Sequence, residues 1–510
     1  MTLDPEPWSV AKPVERGRRG LVVSQHHVAA QIGADLLADG GNAIDAAIAA
    51  AFSLQAVEPW MSGLAACGFG LVAEPGKPPV AIDFSGQAPA EIDPALLTPD
   101  PNGARTFLGM TQSAGARNVE GASSVVVPGI VAGLAALHRE GASESWSRLL
   151  LPAIDRLRAG LTVDWHTTLS IALAASPLAS DPGCRALFLP TGWPPGPGDV
   201  LDFGVQAETM AALATEGPKA FYDGSIGAAW VNDLAGAGST IRRSDLAAYK
   251  ARRTQASLVD IMGHRIALAP DNSGGPRLAD ALRALEATEI EPGEPGPNFY
   301  AATIAALRSA NAVHTARLAT GDGGSTTHLT VVDASGRVVA LTFTLLNRFG
   351  AKYRSPATGI LGNDGMAWFD IVPGTQRCLA PSAWAYSNMC PVIALKDDAP
   401  VAAFGASGGN QIVPALTQVG AFLLAYAMDA GDAIHLPRIN VAPTGAITVD
   451  HDLPAAILQR LADYSPLAFA QRTVFPRPFA SPSAISRAGD GVWTGCPDLS
   501  YPRAAAVAAG

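Results

Sequence analysis

The amino-acid sequence predicts a mixed body of helices and β-strands, and three observations carry that expectation. Residues 326–332 and 337–344 alternate side chains on either side of the turn cluster Asp333-Ala334-Ser335-Gly336, the pattern of a β-hairpin. Residues 28–38, 42–57 and 412–428 are instead apolar at helical spacing or throughout, as in helices packed on a sheet. A chain of 510 residues with 48% hydrophobic and 16% charged side chains has ample material for a core and is not a disordered polymer.

Taken in order, residues 1–19 lack the apolar segment of a secretory signal, which implies a cytoplasmic protein. Gly20–Ser24 (GLVVS) reads as a strand. Helices over 28–38 and 42–57 follow, broken by Gly40-Gly41, with Asn42 as N-cap and Pro59 as terminator. A Gly-Gly pair before a helix can also cradle phosphate, but the lysine of a P-loop is missing. Further helices are expected at 207–215, 277–286 and 300–318. The clusters PTGWPPGPG (190–198) and PGEPGPN (292–298) read as surface loops, because apolar patterning resumes at once on either side. Neither of the apolar runs at 46–57 and 412–428 suits a membrane span. The first is short, and the second carries Pro414, Thr417 and Gln418. There is no internal repeat, so one compact body is the simplest organisation.

A formal net charge of −10, dispersed along the chain, argues against nucleic acid and anionic membranes as partners. The five cysteines (Cys67, Cys184, Cys378, Cys390, Cys496) are widely spaced with no CxxC pair, so buried thiols are expected rather than disulfides or a zinc site. His26-His27 and His166 have no metal-ligand spacing, and no metal or organic cofactor is implied.

The most informative stretch is GGSTTHLTVVD at 323–333. Glycines pack nothing and cost backbone entropy, so Gly323-Gly324-Ser325 suits a place where the backbone is strained or later opened. If Val332 faces Val338 or Arg337, counting back sets Thr326 opposite Thr344 or Phe343 and brings two hydroxyls together. Threonine favours strands in any case, and the hairpin alone would be read as structural. A second feature lies downstream. The short strand VAAF (401–404) runs into Gly405-Ala406-Ser407-Gly408-Gly409, and a helix begins near 410–414. A glycine turn at a helix start leaves N–H groups free to stabilise an oxyanion.

These motifs, in this order, resemble the γ-glutamyltranspeptidases, a family of N-terminal-nucleophile hydrolases. The likeness includes GADLLADGGNAIDAAIAAAFSLQAVEPWMSG near the start and Val127-Pro128-Gly129 with Gly133. It continues through LLPAIDRLRAG, GPKAFYDG, DLAAY and Ser273-Gly274-Gly275, and so covers most of the chain. It implies an α+β fold, a four-layer αββα sandwich. It also implies self-cleavage between Ser325 and Thr326 into a large fragment, 1–325, and a small fragment, 326–510, which remain partners. Thr326 would be the nucleophile, helped by its own α-amine and by Thr344, with Gly408 and Gly409 as the oxyanion hole. The chemistry is sensible: a threonine hydroxyl needs a base, and an α-amine with a pKa of roughly 7.7–8.0 is one near neutral pH.

The residues expected to grip a γ-glutamyl head group depart from the family pattern. Ser85 stands where the family has an arginine, Leu346 replaces a polar residue, and Gly365 and Trp368 occupy the segment that supplies a carboxylate. A Ser-Ser pair appears as Ser387-Asn388. Loss of a bidentate guanidinium removes the natural partner of a carboxylate. The expectation is hydrolysis, or acyl transfer, on a small-molecule amide other than a standard γ-glutamyl compound, with oxamate-type and other acyl amides both open. Two alternatives remain: a glutathione hydrolase with a rearranged clamp, and a silent binding protein that never matures. His328 reads as structural. Arg348, Arg354 and Arg377 could supply a new anion site, although isolated arginines are mostly solvated. The sequence leaves the oligomeric state open.

Overall fold

The computed structural model describes residues 10–288, 293–314, 325–464 and 466–510. Fourteen strands build its two large sheets. In chain order these are β1 (Glu15–Gly17), β2 (Gly20–Ser24), β3 (Cys67–Ala73), β4 (Val80–Phe84), β5 (Arg252–Gln255), β6 (Ser257–Ile261) and β7 (His264–Leu268). The rest are β8 (Ser325–Asp333), β9 (Val338–Leu346), β10 (Val392–Lys396), β11 (Ala399–Ser407), β12 (Ser481–Arg487), β13 (Trp493–Pro497) and β14 (Ala505–Ala508). The first sheet runs β14-β2-β8-β9-β3-β4-β5 and the second β1-β13-β12-β11-β10-β7-β6.

Period-two alternation decides what each face does. Leu21, Val23, Val332, Val338 and Ala340 of the first sheet meet Ile393, Leu395, Ala403 and Ile485 of the second in a common core. The alternate residues Val22, Leu329, Val331, Leu341 and Phe343 point the other way, into a core shared with helices α1 (His27–Ala38) and α2 (Ala43–Val57). On the far side, Ile266, Val392 and Phe404 pack under α3 (Gly275–Glu286), α4 (Pro297–Val313) and α5 (Ile412–Leu424). The layers are therefore α, β, β and α, as the resemblance implies.

The predicted start of α2 is built as expected. Asn42 Oδ1 accepts from the Ile44 and Asp45 N–H groups, Asp45 reciprocates on Asn42 N–H at 2.9 Å, and Gly40 takes φ +95°. Every residue of α5 is buried, and its polar side chains are satisfied within the protein. Thr417 donates to the Val413 carbonyl at 2.9 Å, and Gln418 donates to the Ile439 carbonyl at 2.7 Å. Among the described residues, no helix is long and apolar enough to cross a membrane.

Some expectations need correction. Helix α4 starts at Pro297, earlier than predicted, because proline fits a first helical turn. Residues 315–318 of that predicted helix, Gly323, Gly324 and Pro292 lie outside the described residues. The short strands Ile439–Val441, Ile447–Asp450 and Leu467–Ala470 form a small third sheet that three- and four-residue strands could not announce by alternation. All five cysteines are free thiols, but Cys378 is only half-buried.

Candidate active site

The site is built at one end of the β8–β9 hairpin. Val332 pairs with Val338 and Thr327 with Phe343, but Ser325 pairs with Leu346, so the register shifts by one between Ser325 and Thr327. The extra residue is on β9, where Thr344 and Leu345 together stand opposite the single residue Thr326, which is left outside the regular pairing. The Thr344 hydroxyl donates to the carbonyl oxygen of Ser325, the carbonyl of the bond that joins Ser325 to Thr326. The same hydroxyl oxygen accepts from Leu346 N–H at 2.7 Å. Leu346 has φ +89°, a conformation that costs a non-glycine residue energy, and it bends the chain back towards Thr344.

The second sheet contributes from β11. This strand ends at Ser407, Gly408 and Gly409 follow with φ of +135° and +57°, and a short turn over Gly409–Gln411 leads into α5. Neither turn nor helix has a side-chain cap, which leaves backbone donors at this end unclaimed by caps. A Cβ at Gly408 would lie 2.8 Å from the Cα of Ala480, so glycine is required there both by conformation and by space.

Thr326, Thr344 and Gly409 line one narrow cleft. Leu346, Trp368, Ser387 and Asn388 line it too, with Leu108, Arg377, Tyr386, Met389 and Ile412 completing the wall. Sequence reasoning had singled out eight of these twelve; Leu108, Tyr386, Met389 and Ile412 carry no motif that could have marked them.

Two predicted substrate-binding positions are not in this lining. Ser85 is buried behind it, where its hydroxyl accepts from Asn272 Nδ2 at 2.9 Å while the Asn272 carbonyl accepts from Ser387 N–H at 2.9 Å. It braces the wall. Gly365 also stands behind: a Cβ there would come within 2.3 Å of Val126 Cγ2 and 3.0 Å of the Trp368 ring, so its bareness is what lets the indole lie flat.

Burial sets the charges. His328 is held between Thr342 Oγ1 at 2.8 Å and Thr330 Oγ1 at 2.9 Å, and burial pushes its pKa down to about 3, so it is neutral and structural, as its alternation implies. Glu58, just past the end of α2, is fully buried, and burial pushes its carboxyl up to about 7. Hydrogen bonds from Tyr501 and Thr327 and the charges of Arg477 and Arg348 oppose that shift. The turn after Glu58 is tied to the hairpin, since Met61 and Trp60 carbonyls accept from Leu345 and Phe349 N–H at 3.1 and 3.0 Å. Sequence reasoning passed over Glu58. The signal was an acid at the C-terminal end of an apolar helix, where the helix dipole disfavours it. Among the described residues, no group of three or more His, Cys, Asp or Glu is placed to hold a metal ion.

The family model described as gamma-glutamyltranspeptidase matches residues 29–322 and 297–508. The chain belongs to the γ-glutamyltranspeptidase family. It is 31% identical over 536 residues to the Acylase ACY 1 proenzyme of Pseudomonas sp. (strain SE83), covering 96% of this chain and 93% of that one. It is 27% identical to the glutathione hydrolase proenzyme of Bacillus subtilis (strain 168), covering 90% and 86%. Its fold is like that of the cephalosporin acylase from Bacillus halodurans, with a TM-score of 0.86, 22% identity, and coverage of 100% and 99%. As a γ-glutamyltranspeptidase-family protein with the αββα fold, it is an enzyme of amide C–N bonds.

Proposed function

We propose that this γ-glutamyltranspeptidase-family enzyme cuts its own chain between Ser325 and Thr326 and then hydrolyses a small amide through an acyl-Thr326 intermediate. The acyl group is not a standard γ-glutamyl group; oxamate-type and other acyl amides fit the expectation. The observation that carries this reading is the Thr344 hydroxyl donating to the Ser325 carbonyl inside the cleft that also holds Thr326 and Gly409.

Maturation follows from that geometry. Donation from Thr344 draws electron density from the Ser325 carbonyl, and Thr326 Oγ attacks its carbon. The C–N bond breaks as the nitrogen takes a proton, leaving an ester between Ser325 and Thr326 Oγ. Water then hydrolyses the ester, giving a Ser325 carboxylate, a free Thr326 α-amine and the fragments 1–325 and 326–510. The amine becomes the base for turnover. It takes the Thr326 proton as the oxygen attacks the substrate carbonyl, N–H groups at Gly408 and Gly409 receive the oxyanion, the amine product leaves, and water releases the acid.

The cleft's chemistry supports a changed acyl group. Leu346 and Trp368 line it where the family resemblance calls for polar and acidic side chains, and a γ-glutamyl ammonium would lose its hydration without gaining a carboxylate. Intact-mass measurement of freshly purified protein should give two polypeptides, the lighter opening with threonine. Thr326→Ala should give one uncut chain, inert on a panel of small amides. An uncut chain that splits amides at full rate would overturn the reading.

A further inference from the structure

Glu58 stands behind the hairpin, on the face opposite the cleft. Thr326 lines the cleft, so strand alternation turns Thr327 the other way, where its hydroxyl donates to Glu58 Oε2 at 3.5 Å. Both residues of that bond are fully buried. The main chain just beyond Glu58 grips the other strand. The Met61 carbonyl accepts from Leu345 N–H at 3.1 Å, and Leu345 is one of the two β9 residues opposite Thr326. One short segment therefore holds the hairpin on both sides of the candidate nucleophile.

The carboxyl is loosely bonded for its depth. Oε1 has no hydrogen-bond partner among the described residues, and the bond from Thr327 is long. Gln55, one turn earlier on α2, and Ser62, whose N–H donates to the Glu58 carbonyl at 3.3 Å, also have buried side-chain polar atoms without partners among the described residues. A neutral acid leaves this slack in place. A carboxylate is an acceptor only, and takes O–H donors at about 2.5–2.7 Å. Ionisation thus pulls Thr327 towards α2, and the peptide unit it shares with Thr326 follows. Small shifts matter here, since a misplacement of about 1 Å costs an attack roughly 100-fold.

The groups facing Glu58 leave it the one that changes charge near pH 7. Burial raises its carboxyl and the charges of Arg477 and Arg348 oppose the rise, with the balance at about 7. Both arginines stay cationic. Burial pushes the Tyr501 phenol up, and pushes His166, whose ring packs 5.3 Å from that of Tyr501, down to about 3. Asp364 touches the other side of the bulge: its N–H donates to the Leu345 carbonyl at 3.1 Å, and burial raises its carboxyl to about 6, against the charge of Lys352 and with that of Glu120. In the uncut chain Thr326 has no free amine to titrate.

We propose that Glu58 is a positioning residue for self-cleavage: in its ionised form it draws Thr327, and Thr326 with it, into the geometry for attack on the Ser325 carbonyl. This inference rests on the self-cleavage reading above.

The test follows the full-length chain, made by cell-free synthesis at about pH 5.5 and shifted to a series of values up to about pH 8.5, with cleavage timed on a denaturing gel. The wild-type rate should rise roughly 10- to 100-fold to a plateau, with its midpoint near pH 7. Glu58→Gln cannot ionise and should be slow at pH 8 and lose that inflection, whereas Glu58→Asp should keep an inflection at a reduced rate. Thr327→Val should flatten the profile in the same way, and the double variant Glu58→Gln with Thr327→Val should be no slower than either alone. Asp364→Asn should leave the midpoint near 7. Urea unfolding at pH 8 separates these effects from misfolding. The inference is overturned if Glu58→Gln keeps the inflection, whatever its absolute rate, or if Asp364→Asn abolishes it. If the wild-type chain stays uncut at every pH, the self-cleavage reading falls and this inference falls with it.

Discussion

The hydroxyl of Thr344 donates to the carbonyl oxygen of Ser325, nineteen residues earlier in the chain. One bond thus links the second strand of the hairpin to the peptide unit that precedes the candidate nucleophile, and Leu346 N–H fixes the donor from behind. Thr344→Val keeps the shape of the side chain and removes the donor. Self-cleavage should slow by roughly 10²–10³, the effect of losing one well-placed oxyanion donor. Thr344→Ser should keep most of the rate. A gel time course on freshly made protein reads both, and a valine variant cleaving at the wild-type rate would remove Thr344 from the chemistry.

Gly408→Ala should impair turnover. Its φ of +135° disfavours a side chain, and the new Cβ would press on Ala480 at 2.8 Å, so the backbone must move and take the N–H groups of the turn with it. The expected signature is a fall in kcat of about 10² or more with KM much less affected. An equal rise in KM at constant kcat would assign the turn to substrate binding instead.

Glu58 predicts a pH-dependent stability. In the folded chain its carboxyl titrates at about 7, raised from an ordinary 4.5 mainly by burial. The folded state therefore holds this proton more tightly than the unfolded state. Its contribution is fully present below about pH 4.5 and is lost as pH rises through 7, a total of about 3 kcal/mol. Glu58→Gln cannot ionise. Urea unfolding of the uncut Thr326→Ala chain, with and without Glu58→Gln, should show the glutamate protein losing ground to the glutamine protein between pH 5 and pH 8. Parallel pH profiles would mean that Glu58 is not the group responsible.

The sheets touch at Gly405 and His328, where a Cβ on Gly405 would sit 2.2 Å from the imidazole. The ring cannot retreat, because Thr342 and Thr330 hold both nitrogens. Gly405→Ala should therefore cost roughly 1–3 kcal/mol, the range for overpacking a core, and lower the thermal midpoint by several degrees. Adding His328→Ala should return part of the loss through coupling of neighbouring sites. Calorimetry on the four proteins of that cycle decides it; additive effects would refute the contact.

The sequence by itself determined most of the larger elements, the layer order through its family likeness, and the hairpin that carries the candidate nucleophile. Alternation along 326–332 and the turn at 333–336 fix which side chains of β8 share a face, and that information is local. It also set Thr326 opposite Thr344 or Phe343 and gave α2 its cap at Asn42. Tertiary structure alone decided the one-residue bulge on β9 opposite Thr326, because a bulge depends on how two strands finish their pairing. It also separated Trp368, which lines the cleft, from Ser85 and Gly365, which support the wall, though all three stood in equivalent motif positions. It also sealed Glu58 beneath the hairpin, where the Thr327 hydroxyl donates to its carboxylate at 3.5 Å. Electrostatics and packing act through space, over a few ångströms, and neither distance nor burial is written in the order of residues.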